Sequence, residues 1–323
     1  MQYGVSPVFC DCDETGNIDP RKLEVLITVR TKAVIVTHMW GTPCDMAAIL
    51  EIVRRTPRVM LFEDCSHAHG ATINGQLVGT FGDGAAWSLQ GPKIIPGGEG
   101  GILLTRHKDV FDMALLNGHY NKRCFKELSP TFDLRSFAGT GVGFKHRSHP
   151  LANAIALQQV DHLGSFLSVK RTVAGMITQC LADIPFLEVP TLRLDVQPAW
   201  YAYVARYKGN LAPGRVNRDS FFKALVKAGV TIIDIPRSTG LVAREPLFSR
   251  PSALLPHLYD DNQVYEHGSF PVASCFYDEA LKFDVCAIDT QISFMANQLA
   301  LVSKVARALA DLVNTLLRTD WHR

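Results

Sequence analysis

The sequence EDCSHAHG, residues 63–70, directly follows the apolar run at residues 58–62, and SLQGPK, residues 88–93, closes a second short apolar run. A glycine cluster, GGEGG, comes next at residues 97–101. Short apolar runs that stop at polar turns are typical of buried strands. The pattern therefore predicts a sheet whose strand ends carry an acid, a histidine, a hydroxyl and a lysine.

A similar apolar run at residues 33–38 precedes these segments, and a helical pattern at residues 45–53 separates the two. The apolar side chains of that pattern share one helix face: Met46, Ile49, Leu50 and Val53. Strand, helix and strand in this order predict a parallel βαβ unit buried on both faces. Two further strands are predicted at residues 85–88 and 101–105. Ligands bind beyond the carboxyl ends of such strands, where His38 and Asp64 are expected.

Three side chains in these turns provide what pyridoxal 5'-phosphate (PLP) requires of a protein. Lys93 offers an amine to the aldehyde, Asp64 a carboxylate to keep the pyridine nitrogen protonated, and Ser88 a hydroxyl to the phosphate. Each has an ordinary alternative when taken alone. An aspartate after a strand commonly caps a helix or turn, a loop lysine is commonly a solvated charge, and a glycine-rich loop is commonly only a turn.

The ordered set of segments resembles the DegT/DnrJ/EryC1/StrS family of PLP-dependent sugar aminotransferases, most closely up to about residue 160. The matching segments are residues 7–11, 18–20, 31–35, 38–46, 63–71, 79–83 with Gly75, 88–93 and 98–101. The resemblance implies an α/β protein of fold type I, the aspartate aminotransferase class. It implies a large domain with a mixed, mostly parallel sheet at residues 1–150, then a connector helix and a smaller α+β domain at 151–323. It also implies a homodimer with active sites at the subunit interface.

The resemblance assigns a role to each matching site residue. Lys93 matches the Schiff-base lysine, Asp64 the acid that pairs with the pyridine nitrogen, and Ser88 the serine that binds the phosphate. His67 stands where the family has Gln or His near the cofactor ring. Lys145 falls where many members carry an asparagine that reaches the phosphate of the neighbouring subunit's cofactor, and an ammonium suits that role. A solvated surface lysine is the alternative for Lys145.

The implied activity is transfer of an amino group from glutamate or glutamine to a keto sugar or keto cyclitol. Dehydratases of the family carry histidine in place of the lysine, so Lys93 favours transamination. The alternative is a non-catalytic or partner-dependent truncated member. Family members usually begin well before the motif found here at residues 5–9. The upstream part usually supplies a phosphate-binding helix and an aromatic ring that stacks on the pyridine, and we expect this chain to lack it.

Composition is consistent with a cytoplasmic enzyme. The 323 residues are 47% hydrophobic with a net charge of +2, enough for one large and one small domain. No basic tract with interleaved aromatics indicates nucleic-acid binding, and no apolar run of membrane-spanning length or signal segment indicates a membrane. The 8 cysteines form no CxxC pair, so we expect free thiols and no metal site.

The second half predicts a connector helix from Pro150 that continues beyond Lys170. Strands are predicted at residues 186–189 and 199–205, and a helix at 219–230 that ends at Gly229. Apolar residues at helical spacing predict a last amphipathic helix: Val302, Val305, Leu309, Leu312, Val313 and Leu316. Residues 233–285 are rich in turn formers and give no clear pattern.

Overall fold

The computed structural model of the chain describes residues 1, 3–236, 241–259 and 270–319. The chain forms two compact units. The first unit comprises Val29–Ser168 and Leu194–Tyr201; the second comprises Met1–Thr28, Val169–Arg193 and Ala202–Arg323. The predicted division into domains at residue 150 stays a prediction; it differs from this grouping at residues 1–28, 151–168 and 194–201.

The first unit is built on a four-stranded sheet in the order β1-β2-β5-β6. Its strands are β1 (Ala33–Thr37), β2 (Met60–Asp64), β5 (Gly84–Ser88) and β6 (Gly101–Thr105). β1, β2 and β5 are parallel, and β6 is antiparallel to β5. The predicted mixed, mostly parallel sheet is therefore confirmed, along with its strands to within one or two residues.

Helix α2 (Met46–Arg54) links β1 to β2, as the sequence pattern predicts. Asp45 caps its first turn by accepting a hydrogen bond from the Ala48 N–H at 3.2 Å. Its buried side chains are Met46, Ile49, Ile52 and Val53. Leu50 was predicted for this face but is only half-buried, and Ile52 takes its place.

The remaining elements of the first unit are a small sheet and several helices. The small sheet has the order β4-β3-β8, formed by β3 (Thr72–Ile73), β4 (Gln76–Leu77) and β8 (Val196–Gln197). The helices are α3 (Lys108–Gly118), α4 (Asn121–Glu127), α5 (Pro150–Asp161) and the start of α6 (Leu163–Ala182). Helical structure continues from Pro150 beyond Lys170, as predicted, but it is divided into α5 and α6 by a break at His162.

The second unit contains an antiparallel sheet in the order β10-β11-β9-β7. Its strands are β7 (Leu187–Glu188), β9 (Ala202–Tyr207), β10 (Ile233–Asp234) and β11 (Ala280–Asp284). Its helices are α1 (Pro20–Leu26), α7 (Arg218–Lys227), α8 (Pro246–Ser249), α9 (Pro251–Leu254), α10 (Pro271–Glu279) and α11 (Ile292–Thr319). Residues 237–240 and 260–269 of the turn-rich stretch lie outside the described residues.

Two predictions for the second half need correction. The strand predicted at residues 199–205 begins only at Ala202, because Trp200 adopts a left-handed backbone with φ of 53°. The last helix starts ten residues earlier than the predicted apolar stripe, at Ile292. Its buried stripe is Met295, Leu299, Val302 and Ala306, whereas Leu312 is 59% exposed. Among the described residues, no helix is long and apolar enough to cross a membrane.

Candidate active site

The carboxyl ends of β2 and β5 bring two predicted site residues to one face of the sheet. Asp64 lies opposite Thr37 on one side and Ala86 on the other. Ser88 comes two residues after Ala86, so its side chain leaves the sheet on the same face as that of Asp64. Both side chains are half-buried.

Each of these side chains keeps one polar group for a ligand. Asp64 Oδ1 accepts a hydrogen bond from the Ser66 N–H at 2.9 Å, while Oδ2 has no hydrogen bond within the described part of the chain. Ser88 Oγ accepts from the Gln90 N–H at 3.3 Å, and no acceptor for its own proton is found there. Asp64 is therefore a turn residue, and it retains a carboxylate oxygen that can bind a cation or an N–H group.

Lys93 lies in a tightly tied loop between β5 and β6. Backbone hydrogen bonds join Leu89 to Gly100 at 2.9 Å, Gly91 to Gly98 at 2.8 Å and Gly97 to Leu89 at 2.7 Å. Leu89 and Ile95 are buried against Ala156, with Leu163 and Phe166 packed beside them. The loop is thus held against α5 and α6, which fixes the position of the lysine.

Gly97 is required for this packing. A Cβ atom at this position would lie 2.8 Å from the backbone oxygen of Ala152 and 3.4 Å from the Cβ of Ala156. The glycine-rich segment is therefore more than a flexible turn: one of its residues lets the lysine loop contact α5 directly.

The amine of Lys93 is partly buried and lies near both an aromatic ring and a carboxylate. Its Nζ atom lies 4.8 Å from the centroid of the Tyr201 ring. Burial lowers the pKa of Lys93, and the Asp64 carboxylate partly offsets this by favouring the charged form. A lowered pKa increases the fraction of free amine at neutral pH, which a lysine nucleophile needs.

His67 belongs to a group of stacked rings beside this amine. Its ring lies 4.0 Å from the Tyr201 ring centroid at an interplanar angle of 4°, and 5.8 Å from that of Trp40 at 17°. The buried Trp40 indole N–H has no hydrogen-bond partner within the described residues. A buried donor without a partner is uncommon and is consistent with a ligand acceptor at this position.

His69 adds a neutral base under the same loop. It is only 6% exposed. Burial lowers the pKa of His69 to about 4; the Ser88 backbone raises it somewhat, and the charge of Lys93 lowers it further. His69 therefore stays uncharged at neutral pH and leaves Lys93 as the positive group here.

Glu63 anchors the end of β2 immediately before Asp64. Its Oε1 accepts hydrogen bonds from the N–H groups of Phe81 at 2.8 Å and Gly82 at 2.7 Å, and its Oε2 accepts from Gly79 at 2.6 Å. His38 lies 3.1 Å from Oε2 through Nε2, while its Nδ1 accepts from the Cys44 N–H at 3.0 Å. Burial alone would raise the pKa of Glu63, but these hydrogen bonds lower it.

The same cluster contains a group of potential metal ligands. Coordinating atoms of His38, Glu63 and Cys65 lie within 4.8 Å of one another, and all three residues are buried. The hydrogen bonds just described already use both ring nitrogens of His38 and both oxygens of Glu63. We therefore interpret this cluster as a structural support of the strand end.

Lys145 stays apart from the other predicted site residues. It lies in the exposed stretch at residues 142–150, and within the described residues no hydrogen bond or ion pair joins it to Asp64, Ser88 or Lys93. The structure thus gathers Asp64, His67, Ser88 and Lys93 in one chain. The role predicted for Lys145, in a neighbouring subunit's site, stays a prediction.

Tyr201 was not among the predicted site residues, and it lies more than 100 residues after Lys93. Its only sequence signal is the aromatic pair Trp200-Tyr201 before β9, which was interpreted as part of a strand. No glycine or asparagine marks the left-handed backbone at Trp200 that redirects the chain.

The donor set fits PLP. The partly buried amine suits the aldehyde of PLP. The carboxylate oxygen and the hydroxyl proton, which have no partners among the residues that the structure describes, suit the pyridine nitrogen and the phosphate. The three groups converge at the carboxyl edge of a mostly parallel sheet, where ligands of such folds bind.

A model of the DegT/DnrJ/EryC1/StrS aminotransferase family matches residues 1–287. GDP-perosamine synthase from Caulobacter vibrioides is 35% identical over 230 residues, which cover 70% of this chain and 58% of the relative. L-glutamine:2-deoxy-scyllo-inosose aminotransferase from Streptomyces kanamyceticus is 29% identical over 211 residues, or 64% of this chain and 49% of the relative. The chain thus spans about half the length of the curated relatives it matches.

The fold is shared with a solved structure of E. coli GDP-4-keto-6-deoxy-D-mannose-3-dehydratase with bound hydrated PLP. The two superpose with a TM-score of 0.75 at 23% identity, covering 92% of this chain and 73% of the other. The predicted fold class, α/β of PLP-dependent fold type I, is confirmed.

Proposed function

The chain belongs to the DegT/DnrJ/EryC1/StrS aminotransferase family, and on that premise we propose that it transfers an amino group from glutamate or glutamine to a keto sugar or keto cyclitol, with PLP as cofactor. The observation that carries the proposal is the partly buried Lys93 amine, whose pKa burial lowers, beside the Asp64 carboxylate. When bound, PLP supplies an aldehyde that accepts amines and a pyridine ring that withdraws electrons.

Each site residue has a distinct part in the proposal. Lys93 would hold PLP through its Nζ atom, and once the amine of the substrate has displaced it, the free amine would move a proton at the substrate carbon. Asp64 Oδ2 would favour the protonated pyridine nitrogen through its negative charge. The Ser88 hydroxyl would donate to the phosphate, and His67 would lie near the cofactor ring.

The names of two relatives support the substrate classes. One is an L-glutamine-dependent aminotransferase of a cyclitol ketone, and the other makes a GDP-linked amino sugar. These two names support glutamine as a donor and a keto sugar or keto cyclitol as the acceptor that we propose.

We further propose that the enzyme works as a cytoplasmic homodimer. Lys145 lies in an exposed segment, and within the described residues no hydrogen bond or ion pair joins it to Lys93. This placement is consistent with the role proposed for Lys145, in which its ammonium pairs with the phosphate in the partner's site.

The test is amine transfer by the parent chain and by two lysine variants. Glutamine and glutamate are offered as donors to a panel of keto sugar nucleotides and a keto cyclitol, and the aminated product is detected by mass spectrometry. Lys93→Ala is expected to abolish product, whereas Lys32→Ala, an exposed lysine at the start of the same sheet, keeps the parent rate. Product from Lys93→Ala would refute the proposal.

A partner-dependent chain is the second candidate, and the exposed sheet favours it. Large apolar side chains lie open on the outer strands: Ile35 is 68% exposed, Leu103 47% and Leu104 57%. These side chains lie on the two edge strands of the sheet, and exposed apolar edge strands are sites where another polypeptide can add. This candidate predicts that the isolated chain binds PLP weakly and that a covering polypeptide raises PLP affinity and activity together. Tight stoichiometric binding by the chain alone would contradict it.

A further inference from the structure

Tyr201 reaches the lysine loop from a distant part of the chain. Residues Leu194–Tyr201 group with the first unit, although the chain on both sides of them belongs to the second. Strand β8 in this segment pairs with β3, and the Asn74 N–H donates to the Asp195 oxygen at 2.7 Å. The segment is therefore anchored before it reaches the tyrosine.

Gly41 determines where the end of this segment, residues 199–201, lies. The Ala199 N–H donates to the Gly41 oxygen at 2.9 Å. A Cβ on Gly41, whose φ is +89°, would lie 2.8 Å from the His67 oxygen and 2.9 Å from the Tyr201 nitrogen. Only glycine allows these three backbones to approach so closely.

Backbone strain is concentrated at the same place. Trp40 and Trp200, the neighbours of Gly41 and Tyr201, both have left-handed backbones, with φ of 59° and 53°. Such conformations are costly for bulky residues and persist where the surrounding structure imposes them, often at functional sites. The contacts that impose these two conformations also fix the orientation of the Tyr201 ring.

The Tyr201 ring is placed to bind the Lys93 ammonium. It lies nearly parallel to His67, with centroids 4.0 Å apart, and the Lys93 Nζ atom is 4.8 Å from its centroid. An ammonium within about 6 Å of a ring centroid is attracted by the ring's negative face. The other charged or titratable groups acting on Lys93 are the Asp64 carboxylate, which favours the ammonium, and the buried, neutral His69.

We propose that Tyr201 is a positioning residue for Lys93: its ring, held against His67, binds the ammonium through its face and directs the amine toward the carboxyl edge of the sheet. The proposal rests on the proposed role of Lys93 as the cofactor-binding lysine. The ring favours the protonated amine, whereas burial favours the free amine, so Tyr201 sets how readily Lys93 loses its proton. Its hydroxyl has no part in this effect.

The test measures the proton affinity of Lys93 in the chain without added cofactor, so it does not depend on enzyme activity. Trace acetylation across a pH series, with peptide-resolved mass spectrometry, gives the pH midpoint of Lys93. The exposed Lys22 of the second unit serves as internal reference. Circular dichroism confirms that each variant is folded.

Tyr201→Phe keeps the ring and is expected to keep the midpoint. Tyr201→Leu removes the ring and is expected to lower the pH midpoint of Lys93. At a pH below the midpoint, the fraction of Lys93 present as free amine should then be about three- to tenfold larger than in the parent. A trifluorinated phenylalanine in place of Tyr201 keeps the ring's shape but removes its negative face. It is expected to act like leucine, which covers the case in which the leucine variant does not fold.

An unchanged midpoint with the fluorinated ring would overturn the proposal. A midpoint lowered equally by Tyr201→Phe would also overturn it, since the hydroxyl would then be responsible. If the midpoints follow the prediction but no amine transfer is found with any acceptor, the proposed function fails and the positioning role of Tyr201 stands.

Discussion

Replacing Glu63 by glutamine is expected to destabilise the first unit severely while changing almost no volume. Oε1 accepts from two backbone N–H groups, of Phe81 and Gly82, and Oε2 accepts from the Gly79 N–H and faces Nε2 of His38. In glutamine, an NH2 group replaces either Oε1 or Oε2. In both orientations this NH2 group faces two groups that donate hydrogen bonds, and it cannot accept from them. At least two hydrogen bonds to a buried acceptor are lost.

The magnitude follows from the burial of this residue, which is 1% exposed. Hydrogen bonds to charged groups contribute about 1.5–3 kcal/mol each, so we expect Glu63→Gln to lower the free energy of unfolding by about 3–5 kcal/mol. Urea denaturation followed by tryptophan fluorescence and circular dichroism measures this change.

Glu51→Gln is the matched control. Glu51 is paired on the surface with Arg55 one helical turn away, with side-chain exposures of 71% and 57%. Surface pairs of this kind contribute about 0.3–0.5 kcal/mol at most. A loss of stability below about 1 kcal/mol for Glu63→Gln, or a loss equal to that of the control, would show that these hydrogen bonds contribute little.

Three further outcomes are expected. Asp64→Asn should retain cofactor binding but lower the transamination rate at least tenfold, because an opposite charge in contact shifts a pKa by about 1–3 units; steady-state kinetics measures the rate, and one within twofold of the parent would show that the aspartate only caps its turn. Burial lowers the pKa of Lys170 to about 8 from an unfolded value of 10.5, so the unfolded chain binds more protons between these values and stability should rise with pH there. Lys170→Met should abolish that rise in urea titrations at pH 8 and 10. Gly97→Ala should lower the free energy of unfolding by about 1–3 kcal/mol and weaken cofactor binding, because its Cβ would lie 2.8 Å from the Ala152 oxygen. Gly164→Ala adds a Cβ that meets open space in α6, so stability and cofactor affinity should stay unchanged in the same urea and cofactor titrations.

The strand ends could be predicted from sequence because each signal is local. The apolar runs before Asp64 and Ser88 specify strands, and parallel pairing then aligns their carboxyl ends without further information. Asp64, His67, Ser88 and Lys93 were all expected near this edge, and the structure places them there. The capping role of Asp45 follows from similar local chemistry.

The parts that were missed depend on contacts between distant segments. Tyr201 reaches Lys93 only because β8 pairs with β3 and Gly41 allows close approach, and none of this is visible in the sequence around residue 201. The break at His162 was also not predicted, although Gly164 stands two residues after it. Glu63 resembles any acid at a strand end until its backbone donors from residues 79–82 are known.

Borohydride trapping shows directly whether Lys93 forms the covalent bond to the cofactor. The chain is incubated with PLP, reduced with borohydride, digested and analysed by mass spectrometry for the pyridoxyl group. The pyridoxyl group is expected on Lys93 at a concentration of PLP where the exposed lysines stay unmodified. Attachment to Lys145 or Lys170 instead, or equal labelling of exposed lysines, would show that Lys93 is not the cofactor-binding lysine.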